Sequence, residues 1–484
     1  MQFETRGEIT LKICLFLEGS YPHVTGGVST WVQILVENMP EFGFIIYSIG
    51  PEEKYKGAYK YELPDNVIEI HEVFLDEMLK EKGQYGKRYR LKKDEIRNLK
   101  YLITGEKVEW SHIFKLMIEK RMKNELDFFM SYNFFDILRE AYTEKFSSIP
   151  FTEFFWTVRS MLVPLFFLLN NKLPKADLYH SAANGYAGLL ATMAKFIYKK
   201  PMLLTEHGIY SREREEEIIK SSWAKGYFKD MWIKFFYNIC GCVYELSDGV
   251  FTLFEKNKEI EIDLGCPAEK ISIVPNGIDI KAFASNDTEE LTGDQQQRDH
   301  INIATITRIV PIKDIKTMIQ SFNYVKNVIK NAKFFIFGPT DEDEEYFQEC
   351  RRLADRLGLD DLTFTGRVNV RDYIKDMDVM VMTSISEGQP FVILEGMAAK
   401  KPFVTTDVGG CQELLYGNND GFGKAGLIEP VMDIEKIAKA IIRICRDSEL
   451  RKKMGENGYN RVTSLYGYEK CVESYRAIYQ HFLK

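Results

Sequence analysis

The stretch LKICLFLEGSYPHVTGGVSTWVQILVENMPEFGFIIYSIG, residues 11–50, decides the fold class. Its two ends, LKICLFLEG and FIIYSIG, are continuous apolar runs, as in strands that are buried on both faces. Between them, Trp31, Ile34 and Leu35 recur at helical spacing. A strand–helix–strand unit of this kind requires a parallel sheet with a right-handed crossover. The sequence therefore predicts a doubly wound α/β domain.

The same alternation of strands and helices forms two series along the chain. The later strands of the first series are predicted at ADLYHS (176–181), MLLTEHG (202–208), DGVFTLF (248–254) and ISIVPNGID (271–279), and the second series begins at INIATITRI (301–309). Residues 284–300 are polar and lack an apolar face, which is typical of a linker. We therefore predict two Rossmann-like domains facing across a cleft, because ligands of open α/β sheets bind beyond the carboxyl ends of the strands.

We place the first domain at residues 1–283 and the second at 301–463. Residues from about 72 to 170 interrupt the first domain with charged, aromatic-rich helical stretches, which predict a helical insertion. Large apolar residues at helical spacing predict a last helix within 464–484. The insertion contains a basic run at 80–100, with nine basic against three acidic residues. A solvated helical face is the simplest interpretation of that run, and binding of an anionic acceptor, a membrane surface or a partner are the alternatives.

Composition limits the classes of function. The chain has 484 residues, 45% hydrophobic and 28% charged, so it is neither disordered nor collagen-like. Its net charge of −7 argues against a dedicated nucleic-acid binder. The eight cysteines form no CxxC pair, which predicts reduced core thiols in a cytosolic protein. Because the apolar runs Leu11–Leu17 and Met161–Leu169 are shorter than the about 20 residues of a membrane span, we expect a cytoplasmic protein that reaches a membrane only through partners.

Two loops carry groups that suit phosphate. Gly26 and Gly27 lie between the first strand and its helix, where the backbone can approach a ligand and the helix N-terminus offers N–H groups to an anion. The pattern is not GxGxxG, and a plain turn explains such a pair equally well. Arg308 and Lys313 follow the first strand of the second series, where a bidentate guanidinium and an ammonium can hold a diphosphate. Two solvated loop cations are the alternative interpretation.

The stretch DVMVMTSISEGQPFVILEGMAAKKPFVTTDVGG, residues 378–410, is the most informative for function. A strand ends at Thr383, a loop follows, and a helix starts at Pro390, a residue favoured in the first turn. Glu395 lies inside this helix, where a carboxylate is costly unless it accepts strong hydrogen bonds. A ribose diol supplies two such donors, so Glu395 is a candidate ribose ligand.

A second glutamate, Glu387, lies in the loop before that helix, seven residues ahead of Glu395. It is placed for sugar hydroxyls, and the amides of Phe391, Val392 and Ile393 are expected to face an anion in the cleft. For either glutamate alone a surface salt bridge is the default interpretation. The pair in a strand–loop–helix context is a specific pattern.

These residues resemble a known family. The two glutamates, Arg308 with Lys313, the Gly26-Gly27 pair and VPNGID (274–279) are together similar to the retaining family 4 glycosyltransferases of GT-B fold, over nearly the whole chain except the insertion. Three blocks, FFWTVRSMLVPL (154–165), LPKADLYHSAANGYAGLLA (173–191) and LTEHGIYSRERE (204–215), look like the PelF branch, the cytosolic glycosyltransferase of Pel exopolysaccharide assembly. The resemblance implies a UDP-sugar donor, most often UDP-glucose, a glycan acceptor and membrane-embedded partners of polysaccharide assembly. It also implies that the last helix, within 464–484, crosses back to the first domain.

The resemblance also implies roles for single residues. Arg308 and Lys313 would hold the donor diphosphate with help from the Gly27 amide, Glu387 would bind the transferred sugar, and Glu395 the ribose. His207 would lie beside the transferred sugar, and Gly366-Arg367-Val368 beside the base. The expected catalytic residues are thus Arg308, Lys313, Glu387 and His207, and the expected donor-binding residues are Gly26, Gly27, Arg367, Val368, Gly388, Gln389, Pro390, Phe391, Val392 and Glu395.

The chain departs from the family pattern at two places. Arg308 is followed by Ile-Val-Pro-Ile-Lys-Asp instead of Leu-x-x-x-Lys-Gly, which changes little. Gln389-Pro390-Phe391 replaces Phe-Pro-Leu and leaves the identity of the sugar open. Two DxD matches, at 341–343 and 376–378, are interpreted as coincidental. Since two cations can neutralise a leaving diphosphate, we predict transfer without a metal or any other cofactor.

Two further classes of function stay open at this level. A GT-B nucleotide-sugar epimerase would need acid and base carboxyls in the first domain, where no convincing pair is visible. A non-catalytic nucleotide-binding scaffold is disfavoured by the intact Glu387, Glu395, Arg308 and Lys313. His207 also has a structural alternative, because a histidine after the apolar run MLL can be a core residue. His180 ends a similar strand and is expected to support the site indirectly.

Overall fold

The computed structural model describes residues 11–80, 83–119, 124–283 and 300–484. The chain forms two compact units, the first comprising Met1–Val274 with Ser474–Lys484 and the second Pro275–Glu473. All but the last residue of the predicted 284–300 linker lie outside the described residues. Each unit is a doubly wound parallel sheet covered by helices, as the hydrophobic runs predict.

The first unit contains a seven-stranded sheet. Its strands are β1 (Lys12–Glu18), β2 (Gly43–Gly50), β3 (Val67–Phe74), β4 (Leu178–Ser181), β5 (Met202–Glu206), β6 (Gly249–Thr252) and β7 (Ile271–Ile273). The order β3-β2-β1-β4-β5-β6-β7 is parallel at every pairing. The direction of winding reverses between β1 and β4, so the loops after these two strands diverge and leave room at the sheet edge.

Ten helices of the described chain belong to the first unit up to residue 274. They are α1 (Gly27–Glu37), α2 (Lys93–Thr104), α3 (Trp110–Ile118), α4 (Glu125–Phe129), α5 (Tyr132–Ala141), α6 (Phe151–Asn170), α7 (Gly185–Tyr198), α8 (Tyr210–Lys220), α9 (Tyr227–Leu246) and α10 (Glu255–Asp263). Helices α2 to α6 form the insertion between β3 and β4. The strand β3 continues to Phe74, so the helical part begins slightly later than residue 72.

Helix α6 is longer than the sequence suggested. Its 20 residues run through Pro164 without a break, and by length and apolar composition the helix could cross a membrane. More than half of its 18-residue apolar window is buried inside the unit, as expected for a core helix. Phe154, Phe166 and Phe167 are buried, whereas Trp156 is exposed, so the aromatic cluster of this region is mainly core.

The basic run of the insertion is largely ion-paired. Five of its nine cations form pairs with acidic residues outside the run: Lys80 with Glu53, Lys87 with Asp127, Lys92 with Glu119, Arg97 with Glu109, and Lys100 with Glu144. Pairs on an exposed face contribute little to stability, but they cancel the local positive charge. The run is therefore solvated and ion-paired as expected, but the predicted helical face is wrong for the described residues 83–92, which form no helix; α2 begins only at Lys93.

The second unit contains a six-stranded sheet. Its strands are β8 (Ile301–Ile306), β9 (Ala332–Phe337), β10 (Leu362–Gly366), β11 (Val379–Met382), β12 (Phe403–Thr406) and β13 (Gly426–Glu429), in the parallel order β10-β9-β8-β11-β12-β13. Its helices are α11 (Ile315–Val328), α12 (Glu344–Arg356), α13 (Phe391–Ala398), α14 (Cys411–Tyr416), α15 (Ile434–Arg446) and α16 (Ser448–Leu465). Here the winding reverses between β8 and β11, and both predicted active-site loops follow these two strands.

The last helix, α17 (Tyr468–Phe482), begins in the second unit, and its residues from Ser474 onward belong to the first. Tyr475 and Tyr479 are fully buried in the first unit. The Tyr479 hydroxyl lies 2.7 Å from Nδ1 of His180, and the Tyr475 hydroxyl 3.0 Å from Oγ1 of Thr205. These polar contacts add to the apolar contacts that fix the end of the chain.

All eight cysteines are buried free thiols. Burial raises the pKa of the Cys14, Cys240 and Cys242 thiols well above the ordinary value. A buried thiol with a raised pKa is a poor nucleophile, so these side chains act as small core residues.

Candidate active site

The switch point of the second sheet holds a charged pair. Nζ of Lys313 lies 2.5 Å from Oε1 of Glu387, and their side chains are 18% and 13% exposed. Lys313 ends the short turn after β8, and Glu387 lies in the loop after β11. The residue predicted to hold the diphosphate and the residue predicted to hold the sugar are therefore direct neighbours. The contact is charge-assisted and partly shielded from solvent, which strengthens it.

Two hydroxyl side chains at the end of β11 hold this pair in place. Oγ1 of Thr383 donates to the carbonyl oxygens of Lys313 and Asp314, at 3.1 and 2.9 Å. Oγ of Ser384 donates to Oε1 of Glu387 at 2.5 Å. The two adjacent hydroxyls thus fix the backbone of one partner and the carboxylate of the other. Both hydroxyls are buried, so water does not compete for these hydrogen bonds.

The loop before α14 supports the same peptide from the other side. Gly409 has a φ of +51°, and a Cβ at this position would clash with the carbonyl oxygens of Glu387 and Gly388. The Gly410 amide donates to the Gly388 carbonyl at 2.9 Å. Only glycine combines this left-handed backbone with such a close approach. The VGG stretch at 408–410 therefore determines where the Glu387 loop lies.

Helix α13 begins after Pro390 and carries Glu395 within its second turn. Burial raises the pKa of the Glu395 carboxyl to about 7, and the positive charge of Arg371 partly opposes the shift. The amides of Phe391 and Val392 are at the helix start, but the Ile393 amide donates to the Pro390 carbonyl at 3.2 Å. Of the three amides that were expected to face an anion, only those of Phe391 and Val392 therefore remain candidates. Phe391 and Val392 have half-buried side chains that pack on the apolar core of this unit.

Gln389 does not have the environment that the sequence suggested. Its side chain is buried, and its Oε1 accepts a hydrogen bond from the Asn276 amide at 2.7 Å. Asn276 lies in the VPNGID stretch, so Gln389 holds that turn within the second unit. The expected loop side chain near the sugar is therefore a structural hydrogen-bond acceptor, and a ligand would meet the backbone of this residue.

The remaining predicted residues of the second unit are more open. Arg308 is 57% exposed, and its Nη1 lies 3.2 Å from Oε2 of Glu342. Arg367 is exposed after the left-handed Gly366, and the half-buried Val368 packs against the apolar core. Arg308 follows β8 and Arg367 follows β10, at the same sheet edge as Lys313 and Glu387. The exposed guanidinium of Arg308 can exchange its glutamate for a ligand at small cost.

Both DxD stretches have structural partners. Oδ1 of Asp343 accepts from the Tyr346 amide at 3.0 Å and caps α12, while Glu342 pairs with Arg308. Oδ2 of Asp378 accepts from the Asn302 amide at 2.8 Å and aligns β11 with β8. Among the residues that the structure describes, no three His, Cys, Asp or Glu side chains are grouped as metal ligands.

In the first unit, the Gly26-Gly27 loop leads directly into α1. Gly26 is the N-cap residue and Gly27 the first helical residue, with no side-chain cap. The Gly26 carbonyl accepts from the Thr30 amide at 2.9 Å, as in a regular first turn. The Gly27 amide thus lies at a helix N-terminus, as the sequence predicted, and its role with an anion stays a prediction.

His207 follows β5 at the edge of the first sheet. Its ring contacts Trp31 at 4.7 Å between centroids, edge to face. Within the part of the chain that the structure describes, Nε2 of His207 and Nε1 of Trp31 are buried without a hydrogen-bond partner. Burial lowers the pKa of His207 to about 3, so the ring is neutral at physiological pH. Unpaired buried nitrogens are costly, which makes this edge suited to hydrogen-bonding a ligand or water.

His180 has a different environment from His207. Its Nε2 lies 2.8 Å from Oγ1 of Thr205 and its Nδ1 2.7 Å from the Tyr479 hydroxyl, so both ring nitrogens are used. Burial, together with the neighbouring His207, lowers the pKa of His180 to about 3. This residue connects the sheet to α17 and acts on the site only through that packing.

Sequence reasoning missed that Tyr210 connects two carboxyls of the first unit, Glu18 and Glu206. The Tyr210 hydroxyl donates to Glu18 at 2.8 Å, and the Tyr210 amide donates to Glu206 at 3.0 Å. Burial raises the pKa of Glu18, and raises that of Glu206 to about 7. The available signal was an acidic residue at the end of an apolar strand, in LFLEG and LLTEHG, because β1 and β5 end at this edge.

Two doubly wound parallel-sheet units, with a cation–carboxylate pair at the switch point of the second, define the architecture of a GT-B glycosyltransferase. Residues 11–269, more than half of the chain, match the family model described as Domain of unknown function (DUF3492), and residues 288–461 match the model Glycosyl transferases group 1. The chain therefore belongs to the DUF3492 family, and its later part matches the model of group 1 glycosyltransferases.

Known proteins resemble the chain over long stretches. The UDP-Gal:alpha-D-GlcNAc-diphosphoundecaprenol alpha-1,3-galactosyltransferase of Escherichia coli is 26% identical over 330 residues, which is 66% of this chain and 78% of that protein. The capsular polysaccharide biosynthesis glycosyltransferase CapM of Staphylococcus aureus is 26% identical over 325 residues, 66% of this chain and 77% of CapM. Anabaena HepE, crystallised with UDP, superposes with a TM-score of 0.62 at 14% identity, covering 97% of this chain and all of HepE. This last likeness shows the GT-B fold.

Proposed function

We propose that the protein transfers a hexosyl group, most readily glucose, from a UDP-sugar to a glycan acceptor. The observation that carries the proposal is the Lys313–Glu387 contact at 2.5 Å, held by Thr383 and Ser384 at the switch point of the second sheet. In the proposed complex, Lys313 would bind phosphate and Glu387, directly beside it, would bind the sugar. The UDP ligand of HepE and the UDP-galactose named for the E. coli relative support a uridine nucleotide as donor.

The donor would bind through groups of the second unit. Lys313 would share its positive charge between Glu387 and the diphosphate, and Arg308 would leave Glu342 to bind the same diphosphate in a bidentate manner. The ribose hydroxyls would donate hydrogen bonds to Glu395. Burial raises the pKa of this carboxyl, and donors such as hydroxyls would stabilise its charged form. Arg367 and Val368, after β10, would lie beside the base.

Transfer would retain the anomeric configuration. The bond between C1 of the sugar and the β-phosphate oxygen breaks, the acceptor hydroxyl oxygen forms a bond to C1 from the same face, and the acceptor proton passes to the leaving phosphate. Arg308, Lys313 and the first amides of α13 would stabilise the charge on the diphosphate. We propose that these groups suffice without a metal ion. Loss of activity in EDTA with recovery in Mg²⁺ would contradict this part.

The physiological context we propose is exopolysaccharide assembly in the cytoplasm, with a PelF-like role. The three sequence blocks at 154–165, 173–191 and 204–215 support it, and CapM is a relative that acts in capsular polysaccharide biosynthesis. Membrane-embedded assembly proteins would be the partners. Deletion of the gene should then abolish secreted polysaccharide, and the Glu387→Gln variant should fail to restore it.

Calorimetric binding across UDP-, GDP- and ADP-glucose, followed by UDP-galactose and UDP-N-acetylglucosamine, tests the donor. We expect UDP-glucose to bind most tightly and UDP to be released slowly in the absence of acceptor. Tighter binding of a GDP- or ADP-sugar would overturn the assignment of the base. Product analysis by NMR, with and without an acceptor glycan, tests the reaction and its stereochemistry.

The buried Glu18 and Glu206 carboxyls give the epimerase alternative a specific basis that the sequence did not show. Both carboxyls are already hydrogen-bonded to Tyr210, which favours a structural role. An epimerised sugar together with free UDP, formed without acceptor and lost in Glu206→Gln, would support the epimerase. Unchanged sugar configuration would support the transferase.

A further inference from the structure

Two buried carboxyls of the first unit, those of Glu206 and Glu261, share one region at the edge of the sheet. Glu206 ends β5, and its partner in register on the neighbouring strand, Thr252, ends β6. Glu261 is on α10, which packs on β6, and its carboxyl is close enough to the Thr252 hydroxyl to interact with it. Glu206 is 1% exposed and Glu261 is fully buried. Both carboxyls are therefore withdrawn from water in the same part of the core.

The two carboxyls differ in their hydrogen bonds. Oε1 of Glu206 accepts from the Tyr210 amide at 3.0 Å, and its Oε2 accepts from the Tyr244 hydroxyl at 2.6 Å. Among the described residues, neither carboxyl oxygen of Glu261 has a hydrogen-bond partner, and the Thr252 hydroxyl also lacks one. Hydrogen bonds to a carboxylate favour its charged form. The pattern therefore favours the charge on Glu206 and a proton on Glu261, where an O–H can donate to Thr252.

The cations of the surrounding elements are directed to other groups. Lys270, after α10, donates to the backbone carbonyls of Glu245 and Ser247 at 2.7 and 2.9 Å. Arg214 of α8 lies 2.7 Å from Glu217. Two negative charges in one buried region without a compensating cation are strongly unfavourable. One of the two carboxyls therefore keeps its proton.

The other titratable groups around the two carboxyls bring no positive charge. Strands β6 and β7 contain none. Those on the remaining neighbouring elements are Tyr244 and Cys240 of α9, Tyr210 and Glu213 of α8, and Cys266 after α10. Burial raises the pKa of the tyrosines and thiols, so they are neutral, and Glu213 only adds an acidic group. The ring of His207, which follows Glu206, is neutral as well.

Helix α10 is held to the sheet mainly by polar side chains. Of its nine residues only Asn257 and Glu261 are buried, and among the described residues the amide nitrogen of the Asn257 side chain lacks a hydrogen-bond partner. Its two isoleucines are less covered, because Ile260 is half-buried and Ile262 is 38% exposed. A protonated Glu261 can stay at this position as a neutral hydrogen-bonding group, whereas the charged form is costly there. The attachment of α10 therefore depends on the charge state of Glu261.

We propose that Glu206 and Glu261 keep a single proton between them near neutral pH, carried by Glu261, and that its loss at alkaline pH loosens α10 from the edge of the first sheet. The unequal hydrogen bonding of the two carboxyls assigns the proton, and burial together with the neighbouring Glu206 raises the pKa of Glu261 accordingly. Glu206 also accepts from the Tyr210 amide and so closes the turn that carries His207. The pair thus makes the conformation of this edge sensitive to pH. The inference goes beyond the proposed transfer reaction and does not depend on it.

Urea unfolding between pH 5 and pH 9 tests the proposal. The unfolded chain releases the Glu261 proton near the ordinary pKa of 4.5, whereas the folded chain keeps it to a higher pH, so stability should fall as pH rises. Relative to Glu261→Gln, the unfolding equilibrium constant of the native chain should rise by up to about tenfold per pH unit and level off once the folded carboxyl is ionised. Glu206→Gln should level off at a lower pH, because the charge that opposes ionisation of Glu261 is gone. Glu259→Gln is the matched control, because Glu259 is exposed on the same helix, and it should behave like the native chain.

Hydrogen exchange locates the change in the structure. Corrected for the intrinsic effect of pH, the amides of α10 in the native chain should exchange about tenfold faster at pH 9 than at pH 6, and those of α10 in Glu261→Gln equally at both. This measurement on the native chain keeps the proposal testable even if a variant does not fold. An equal loss of stability with pH in the native chain and in Glu261→Gln would overturn the proposal, and so would native α10 exchange that stays constant between the two pH values. If Glu206→Gln, but not Glu261→Gln, abolished the pH dependence, the proton would lie on Glu206 and the assignment would be wrong.

Discussion

Polar groups are buried at both sheet edges of this chain, but they are stabilised there in opposite ways. At the edge of the first sheet, burial neutralises the groups: the pKa of His207 falls to about 3 and that of Glu206 rises to about 7. At the edge of the second sheet, Lys313 and Glu387 are kept together as an ion pair that is only 18% and 13% exposed. The folds of the two units are alike, so the difference lies in the loops after the strands.

The contrast indicates which part of a nucleotide sugar each edge suits. Neutral, partly unpaired donors and acceptors such as His207 and Trp31 suit uncharged hydroxyls, since they add no charge to compensate. A cation paired with a carboxylate suits a ligand that carries a diphosphate next to a sugar, since it can exchange one interaction for another. We therefore expect substitutions in the second unit to act mainly on the donor.

The largest expected effect comes from Lys313→Ala. In the proposed reaction this ammonium would face the leaving diphosphate, so its loss should lower kcat/KM for UDP-glucose about 10²- to 10³-fold. The measurement is the rate of UDP release with acceptor present, with UDP affinity by calorimetry. Lys439→Ala is the control. Lys439 lies on α15, outside the loops after β8 and β11, and forms an exposed ion pair with Glu435 at 2.5 Å. If kcat/KM of Lys313→Ala changed by less than about threefold, the second sheet edge would not be the site of the diphosphate.

Glu395→Gln should change how stability and UDP affinity depend on pH. The pKa of Glu395 in the folded state, about 7, lies above its ordinary value of 4.5. Between pH 4.5 and pH 7 the folded state therefore binds more protons than the unfolded state. The native chain should therefore lose about 3 kcal/mol of unfolding free energy, relative to the variant, as pH rises from 4.5 to 7 and beyond. Urea unfolding at pH 5 and pH 8 measures this difference.

The same substitution tests the ribose role. Since ribose hydroxyls favour the charged carboxylate, UDP affinity of the native chain should rise as pH rises through 7, and the variant should bind up to about 100-fold more weakly at pH 8 with little pH dependence. Glu349→Gln, which loses only an exposed contact of 2.7 Å to Lys316, is the matched control. If UDP affinity depended on pH in the same way in both variants, Glu395 would not be part of the donor site.

Although the edge strands β3, β7, β10 and β13 are only partly buried, the sequence was sufficient for the fold class because the central strands of both sheets are buried on both faces. Their apolar runs, from KICLFLE in β1 to FVTT in β12, are continuous and are separated by helical spacing, so strand type and parallel pairing follow. The helix boundaries of the insertion were less accessible. Its helix α6 runs through Pro164, because the residues before the proline stay helical when packed into a core.

The site could be predicted only in part. The positions of Lys313 and Glu387 follow from their loops, but the 2.5 Å contact between them depends on Thr383 and Ser384, whose orientation no spacing encodes. Gln389 lay in the expected loop, yet its side chain turns inward to Asn276, because an amide that satisfies a buried N–H is stabilising there. Local sequence shows which residues are close, and packing determines where each side chain points.

A smaller effect is expected at the edge of the first sheet. His207→Ala should lower kcat about tenfold through loss of a hydrogen bond to a sugar hydroxyl, with no transition near pH 6.5 in the native profile, because the ring is already neutral. Its depressed pKa means that the native chain loses stability as pH falls below 6.5, and the variant should lose less. His180→Asn serves as the contrasting variant: it should lower the Tm by breaking contacts to Thr205 and Tyr479, without a matching change in UDP affinity.

The smallest effect, and the sharpest test of the second edge, is Ser384→Ala. The hydroxyl donates to Oε1 of Glu387 at 2.5 Å, and its loss should cost about 1 kcal/mol, or about fivefold in kcat/KM, as Glu387 becomes free to rotate. Ser321→Ala is the control, since it removes a hydroxyl that donates to the Ile434 carbonyl at 3.1 Å, elsewhere in the same unit. Both variants should lose similar stability, but only Ser384→Ala should lose activity. If both lost activity equally, the effect would reflect the stability of the unit, and the Glu387 carboxylate would owe its position to Lys313 alone.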